Sequence, residues 1–563
     1  MIVKKLSIAA VGVCAGVSAL YAATVSTTAT TKVTTSSVAT VISKVLMPMM
    51  AVSKSGTPAS VPAPAAPAID QNTIGMNVGG IAFYSRVDPF LDLVKTAGDW
   101  SSDNGAPVTL DASGQPTGLP AGAKDIRIPI YIGADLAHDQ NRAIRVTWDG
   151  DATIGSTAKS GYVKNGETFT PIKGTYYGVF VITNLNPARP FRNFHVVRAD
   201  QAKAFDSGEI FNPDFLAKEK PWSTLRFMDW NNTNGNTVVR WADRVKPDRM
   251  TWTTGTGVPI EIEVALANRV HADPWINVPA MADDDYVRQL VTYVRDHLDP
   301  TLKLHLEYSN EMWNYGFGQT GWALNQAKKL WSTVADIGNL DWYGYRSAQV
   351  SAIARGIYGS QADQRLSMVI STQTAWMGLE NYVWRGVSRA GIAAPHFDEW
   401  AITTYWGWSL ASNDDQDHAK VMSWVRGGAA GLNAAFQEIE HGGLLKIDAS
   451  LDAQKPIYAY QAKVAADHKL KLVAYEGSFG TTAWQMPMAD QDAVVAFYAK
   501  LQADPRMGKL YGRMADDFFA AGGKRLTVFN DIGAASKWGT WGTTDDLYTP
   551  SVRWDALVTR SKK

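Results

Sequence analysis

The feature that most constrains this chain is a rhythm. Short apolar runs of strand length alternate with stretches of helical period, and the runs number eight. They are Ile74–Val78, Thr224–Met228, Trp275–Val278, Lys303–Tyr308, Leu366–Ser371, Asp398–Thr404, Lys471–Tyr475 and Arg525–Phe529. Asp284–Leu298 lies between two of them and sets Val287, Leu290, Val291, Val294 and Leu298 on one face, at spacings of three and four. Asp284 and Asp285 open it, where acidic side chains suit the helix dipole. Ile260–Val270, Gly321–Thr333, Ala348–Tyr358 and Gln491–Gln502 also read as helices. Apolar strands separated by helices call for a parallel sheet covered by those helices, and eight of them predict a closed (β/α)8 barrel of the α/β class.

One segment breaks the rhythm. Between the first and second runs, residues 101–205 hold Asp125–Ile132, Ala143–Trp148, Gly161–Val163, Gly178–Ile182 and Phe194–Val197, separated by Gly, Asn and Asp turns. This pattern predicts a β-sandwich inserted into a barrel built from 69–100 and 206–563. The insert reads either as a carbohydrate-binding accessory or as a structural piece packed on the barrel; no cluster of aromatics in its sequence marks a binding face. Gly407–Leu470 is expected to be a long loop.

The N-terminus carries Lys4 and Lys5, an apolar run Leu6–Leu20, then Ala22 and Ala23. That is a signal peptide over 1–23, too short to span a membrane. Cys14 is the sole cysteine; Val13 before it and the continuing apolar run argue against lipid attachment. Residues 24–68 have the Ser/Thr/Ala/Pro composition of a linker, although Val38–Met50 is apolar enough for a short helix of no evident role. The expected location is secreted or periplasmic, with no membrane insertion. Lys and Arg total 54 and Asp and Glu total 54, a balance that argues against a nucleic-acid partner. A monomer is expected.

The chain holds 21 Trp, nearly all at or after Trp222. Such enrichment serves either core packing or a cleft for flat ligands.

In a barrel of this kind, chemistry sits where the strands end. The ionisable residues there are Asp229, Glu311, Glu476 and Asp531, with Arg226 at the end of strand two and Tyr405 closing strand six. Glu311 lies in Leu304-His-Leu-Glu-Tyr-Ser-Asn-Glu-Met-Trp-Asn314, and Glu476 in Leu472-Val-Ala-Tyr-Glu-Gly-Ser478. Strands four and seven of a closed barrel face each other, and two carboxylates across a cleft suit glycoside cleavage. Asn310, Trp313, Asn314 and Tyr475 beside them are suited to holding a sugar. Glu307 is expected to pair with a basic residue inside the barrel.

On these motifs the sequence resembles the clan A glycoside hydrolases, the (β/α)8 group that includes cellulases, mannanases and xylanases. The resemblance implies that Glu311 of the Asn310-Glu311 pair is the acid/base and Glu476 the nucleophile. It further implies that Asn310 bonds the sugar 2-hydroxyl, that Tyr405 and Arg226 support the nucleophile, and that Trp538, or else Trp541, forms a sugar platform. Trp313, Asp229 and Asn277 complete the expected substrate-binding set. The implied substrate is a β-linked polysaccharide or oligosaccharide, cleaved with retention and without a cofactor. The chain has Thr403 and Asn277-Val-Pro279 where the cellulase-like branch carries histidines, so the clan is indicated without a family. A cleft lined by several of Trp230, Trp313, Trp406, Trp408, Trp538 and Trp541 is expected.

Other clusters have simpler explanations. Asp283-Asp-Asp285 and Asp414-Asp-Gln-Asp417-His418 lack calcium-loop spacing and read as helix starts, so no metal is expected. Gly75–Gly80 lacks the glycine spacing and lysine of a nucleotide loop. The alternative function is a non-catalytic carbohydrate-binding or cell-surface protein on a hydrolase-like barrel, for which an opposed pair of carboxylates has no use.

Overall fold

The computed structural model describes residues 72–333 and 337–561, so the predicted signal peptide and linker lie outside the described residues. Eight parallel strands close into a barrel: Thr73–Asn77, Thr224–Arg226, Asp273–Val278, Leu304–Tyr308, Leu366–Ser371, Glu399–Thr403, Lys471–Glu476 and Arg525–Val528, strands one to eight below. Strand one pairs with both strand two and strand eight, which closes the ring. Each predicted run corresponds to one of these strands. The fold is an α/β barrel with helices between strands.

Alternation along each strand sorts the side chains. In strand four Leu304, Leu306 and Tyr308 enter the apolar core shared with the helices, while His305 and Glu307 bond across the barrel interior. A second, smaller apolar layer of Trp275, Val369, Ala401, Val473 and Tyr475 fills the barrel axis. The barrel is therefore a packed body that presents chemistry only at its ends. The helix Asp284–His297 buries Tyr286, Val287, Leu290, Val291 and Val294 and is capped by Asp283, whose carboxylate accepts the Tyr286 N–H. Asp414 caps Asp415–Arg426 in the same way. Both acidic clusters thus begin helices.

The segment expected to be a long loop is helical instead. It forms Asp415–Arg426, Gly428–His441 and Leu451–Asp467. The break falls at the Gly427-Gly428 pair. Gly431 lies so close to the preceding helix that an added Cβ would meet the Trp424 carbonyl oxygen at 2.0 Å, so only glycine permits this packing.

Between strands one and two the chain builds two antiparallel sheets. One has five strands, in spatial order Ser101–Ser102, Ile126–Tyr131, Tyr177–Leu185, Ala152–Ser156 and Tyr162–Val163. The other has three: Thr168–Phe169, Ile144–Asp149 and Arg192–Arg198. Ile128, Ile154, Phe180 and Ile182 of the first share one core with Val146, Phe194 and Val196 of the second. Leu93 and Val94, from the loop after strand one, enter the same core. A buried Arg198–Asp88 bridge of 2.8 Å also ties the insert to that loop. Among the described residues, no helix is long and apolar enough to cross a membrane.

Candidate active site

Arg226 organises the barrel mouth. It is wholly buried at the end of strand two. Its Nη1 donates to Glu476 Oε1 at 2.7 Å and to Asn77 Oδ1 at 3.1 Å. Its Nη2 donates to Glu307 Oε2 and to Asn310 Oδ1, both at 2.9 Å. One cation thereby joins strands one, two, four and seven. Glu307 is held further by Trp275 Nε1, Asn277 Nδ2 and Ser371 Oγ. It is the interior partner of a basic residue, as its position in the strand predicts.

The two singled-out carboxylates differ in their partners. Glu476 accepts from Arg226 on one oxygen and from the Tyr405 hydroxyl, at 2.9 Å, on the other. Burial raises its pKa, and Arg226 and Tyr405 oppose that rise. Glu311 accepts from Asn314 Nδ2 at 2.9 Å and from the Tyr475 hydroxyl at 3.1 Å, both neutral donors. Burial first, and then the charge of Glu476 nearby, push its carboxyl up to about 8. Asn314 and Tyr475, expected to hold sugar, hold Glu311.

Local backbone aims these groups. Ser309 and Glu311 take left-handed conformations, with φ of 59° and 40°, on either side of Asn310. Such strain in non-glycine residues collects at functional sites. It lets adjacent Asn310 and Glu311 both serve the mouth, which strand alternation alone does not allow. On the other side, the register between strands six and seven shifts between Ile402 and Thr403. Irregularities of this kind re-aim side chains at strand ends. Tyr475 and Glu476, also adjacent, both serve the site.

Asp229 and Asp531 flank the pair beside strand one. Asp531 Oδ1 accepts the Gly79 N–H at 2.8 Å, and Asp229 accepts that of Gly80. Burial pushes each up to about 7, and the Glu476 charge adds to the effect on Asp229. Asn277 lies inside the barrel, its amide donating to Glu307 and to the Ser309 carbonyl, so it props the turn before Asn310.

The tryptophans divide. Trp230 and Trp406, expected at the cleft, are 1% and 0% exposed and belong to the core. Trp230 packs on Phe90, Phe215 and Phe227, and Trp406 on Phe479 and Tyr511. Trp541 packs edge-on against Tyr405 at 5.4 Å, which sets it next to the ligand of Glu476. Trp538 pairs instead with Trp484 at 6.5 Å. Trp313 is half-buried against the barrel–helix core, and Trp408 is partly exposed.

Two residues that sequence reasoning passed over belong to this constellation. Asn77, the last residue of strand one, faces inward, and alternation alone would have found it. Asn234 accepts from both Asn310 Nδ2 and Gln319 Nε2, at 3.0 and 2.8 Å. It lies in a loop without periodicity and gave no signal.

No family model matches the sequence, and no curated protein matches it. Solved structures do resemble it. A 4-O-α-L-rhamnosyl-β-D-glucuronidase from Fusarium oxysporum aligns at 12% identity and TM-score 0.31, over 60% of this chain and 61% of that one. A broad-specificity endoglucanase from Clostridium acetobutylicum aligns at 12% identity and TM-score 0.34, over 62% and 87%. A family 51 α-L-arabinofuranosidase from Bifidobacterium longum aligns at 12% identity and TM-score 0.38, over 62% and 67%. Each is a glycoside hydrolase. The match spans less than two thirds of the Fusarium enzyme. With TM-scores below 0.5, the fold rests on the chain's own closed sheet and the chemistry on its own residues.

Proposed function

We propose that the protein is a secreted or periplasmic glycoside hydrolase that cleaves β-linked polysaccharide or oligosaccharide by double displacement. The observation that carries this reading is the unequal support of two neighbouring carboxylates. Glu476 is tied to a guanidinium and a phenol, which favour the ionised form. Among the described residues the hydrogen-bond donors to Glu311, Asn314 and Tyr475, are neutral, and burial and the nearby Glu476 charge push it up to about 8. Environments that separate two carboxyl groups in this way assign one as acid and the other as nucleophile.

In the first step Glu476 attacks the anomeric carbon. The glycosidic C–O bond breaks, and the departing oxygen takes the Glu311 proton. The ester neutralises Glu476, so the now ionised Glu311 no longer faces a second negative charge. Glu311 then accepts a proton from water, and the resulting hydroxide equivalent displaces Glu476 with a second inversion. Arg226 and Tyr405 receive the carboxylate as it is released.

Proton NMR of the first-formed sugar tests this scheme. The expected product keeps the anomeric configuration of the substrate. Azide should restore turnover of an activated aryl glycoside by Glu311→Ala and give a glycosyl azide of retained configuration. An inverted first product would refute double displacement, and no cleavage across a panel of plant and bacterial glycans would refute the hydrolase reading.

A further inference from the structure

The insert carries an aromatic face that its sequence does not announce. Along Tyr177–Leu185 of the five-stranded sheet, Gly178, Phe180 and Ile182 point into the insert core, so Tyr177, Val179 and Val181 point outward. Pro129 lies opposite Val179 on the neighbouring strand. The loop after barrel strand one folds onto this outer face. Phe83 meets Tyr177 edge-on at 5.3 Å and meets its neighbour Tyr84 edge-on at 5.2 Å. Two exposed rings, Tyr84 at 57% and Tyr177 at 43%, therefore both pack against one half-buried ring.

The arrangement is fastened in place. A Cβ on Gly98 would lie 2.7 Å from the Phe83 ring and 2.8 Å from Pro129, so the loop closes down only because glycine is there. The Tyr176 hydroxyl donates to the Tyr84 carbonyl oxygen. Arg86 bridges to Asp135 at 2.9 Å and stands over the Tyr176 ring. Rings held this way lose little freedom when they bind.

The face lies near the barrel mouth. Gly80, beside Asp229, is four residues from Tyr84, a reach of at most about 14 Å. We propose that Tyr84 and Tyr177, set around Phe83, form a distal glycan-binding surface that holds the polysaccharide whose bond is cut at the mouth. The proposal rests on the hydrolase reading for the identity of its occupant. Sugar rings offer apolar C–H faces to tyrosine, and the phenol hydroxyls remain free to bond sugar hydroxyls. The closeness to the mouth is what favours a glycan over a second copy of the chain.

The test uses the full chain. Retardation is measured in native gels containing barley β-glucan, konjac glucomannan or xylan, with Glu476→Gln as background so that the polymer stays intact. Kinetics are measured on the same polymers and on aryl β-glycosides without that background. Combining Tyr84→Ala with Tyr177→Ala should abolish most of the retardation and raise KM for the retarding polymer by about 3–10-fold. The loss should be confined to long substrates. Should Tyr177→Ala lower the melting temperature, Tyr84→Ala alone, at the more exposed ring, carries the test.

Unchanged retardation and unchanged polymer KM would overturn the proposal while leaving the hydrolase reading intact. Tyrosine-dependent retardation by a protein that cleaves nothing would uphold the surface and refute the hydrolase. A shift in sedimentation without a change in retardation would mark the face as a contact between copies and overturn the proposal.

Discussion

The barrel has a buried arginine cluster at each end, and the two are built differently. At the bottom, Arg525 Nη1 donates to Glu399 Oε1 at 2.7 Å, and His305 Nδ1 lies 3.1 Å from Glu399 Oε2. Burial works against the charged form there, but Arg525 and then His305 overcome it and hold Glu399 well below the usual carboxylate range. At the mouth, Arg226 is shared between Glu307 and Glu476, with Glu311, Asp229 and Asp531 nearby and raised. A cluster whose charges balance is a brace. One with more carboxylates than cations keeps protons in reserve, which is what general acid catalysis needs. The residue types are similar at both ends, and the ratio of partners separates them.

The largest test of the contrast is at the carboxylates. Glu476→Gln should lower turnover of every substrate by at least about 10⁴-fold. Glu311→Gln should cost about 10²–10⁴-fold on natural glycans and less on aryl glycosides with good leaving groups. Steady-state kinetics on both substrate types measure this, and near-normal activity of either variant on a glycan would break the mouth assignment.

Removing the arginines comes next. Arg226→Met and Arg525→Met should each cost about 3–5 kcal/mol of stability, because each leaves buried carboxylate charge unpaired. Urea unfolding measures that loss. Of the two, only Arg226→Met should also shift the pH dependence of kcat. A shift with Arg525→Met would show that the bottom is not merely a brace.

The two ends should also respond oppositely to pH. Glu311 is raised from 4.5 to about 8 in the folded state, so the native protein binds the extra proton between those values. Stability from that group is complete below about 4.5 and is lost as pH rises through about 8. Activity should fall over the same upper limb as the acid loses its proton. Glu399 is depressed, so its contribution is present above the ordinary carboxylate range and is lost as pH falls. Melting temperatures from pH 5 to 9 should show Glu311→Gln gaining on the wild type as pH rises. A constant difference would mean that Glu311 is not held protonated.

The smallest expected effect sharpens the aromatic wall of the mouth. Trp541→Ala, next to Tyr405, should raise KM by about 2–10-fold, and more than Trp538→Ala does. The reverse order would move the platform toward the Trp484–Trp538 pair.

How much of this was legible follows from range. Asn310-Glu311 and Glu476 stood out because they follow apolar runs directly, and a strand end is a local property. Arg226 and Tyr405 followed once strand order was assumed. The three helices of 415–467 were missed; the chain turns between them at Gly428, with φ of 57°, and Gly431 permits the close helix approach. Trp230 and Trp406 were taken for cleft residues because tryptophan composition does not separate a buried indole from an exposed one.

The sequence by itself determined the barrel, since eight apolar runs with interleaved helical periods have few other ways to bury both faces. It also determined which two carboxylates stand at strand ends. Only the tertiary structure decided how they are held: that Glu476 shares an arginine with Glu307, that Glu311 is held by the neutral donors Asn314 and Tyr475, and that the insert's Tyr177 meets the strand-one loop. The reason is that most of the deciding partners are distant in the chain: Arg226 is 250 residues from Glu476, and Tyr475 is 164 from Glu311. Periodicity reports which way a side chain faces, and closure of the sheet determines what it meets there.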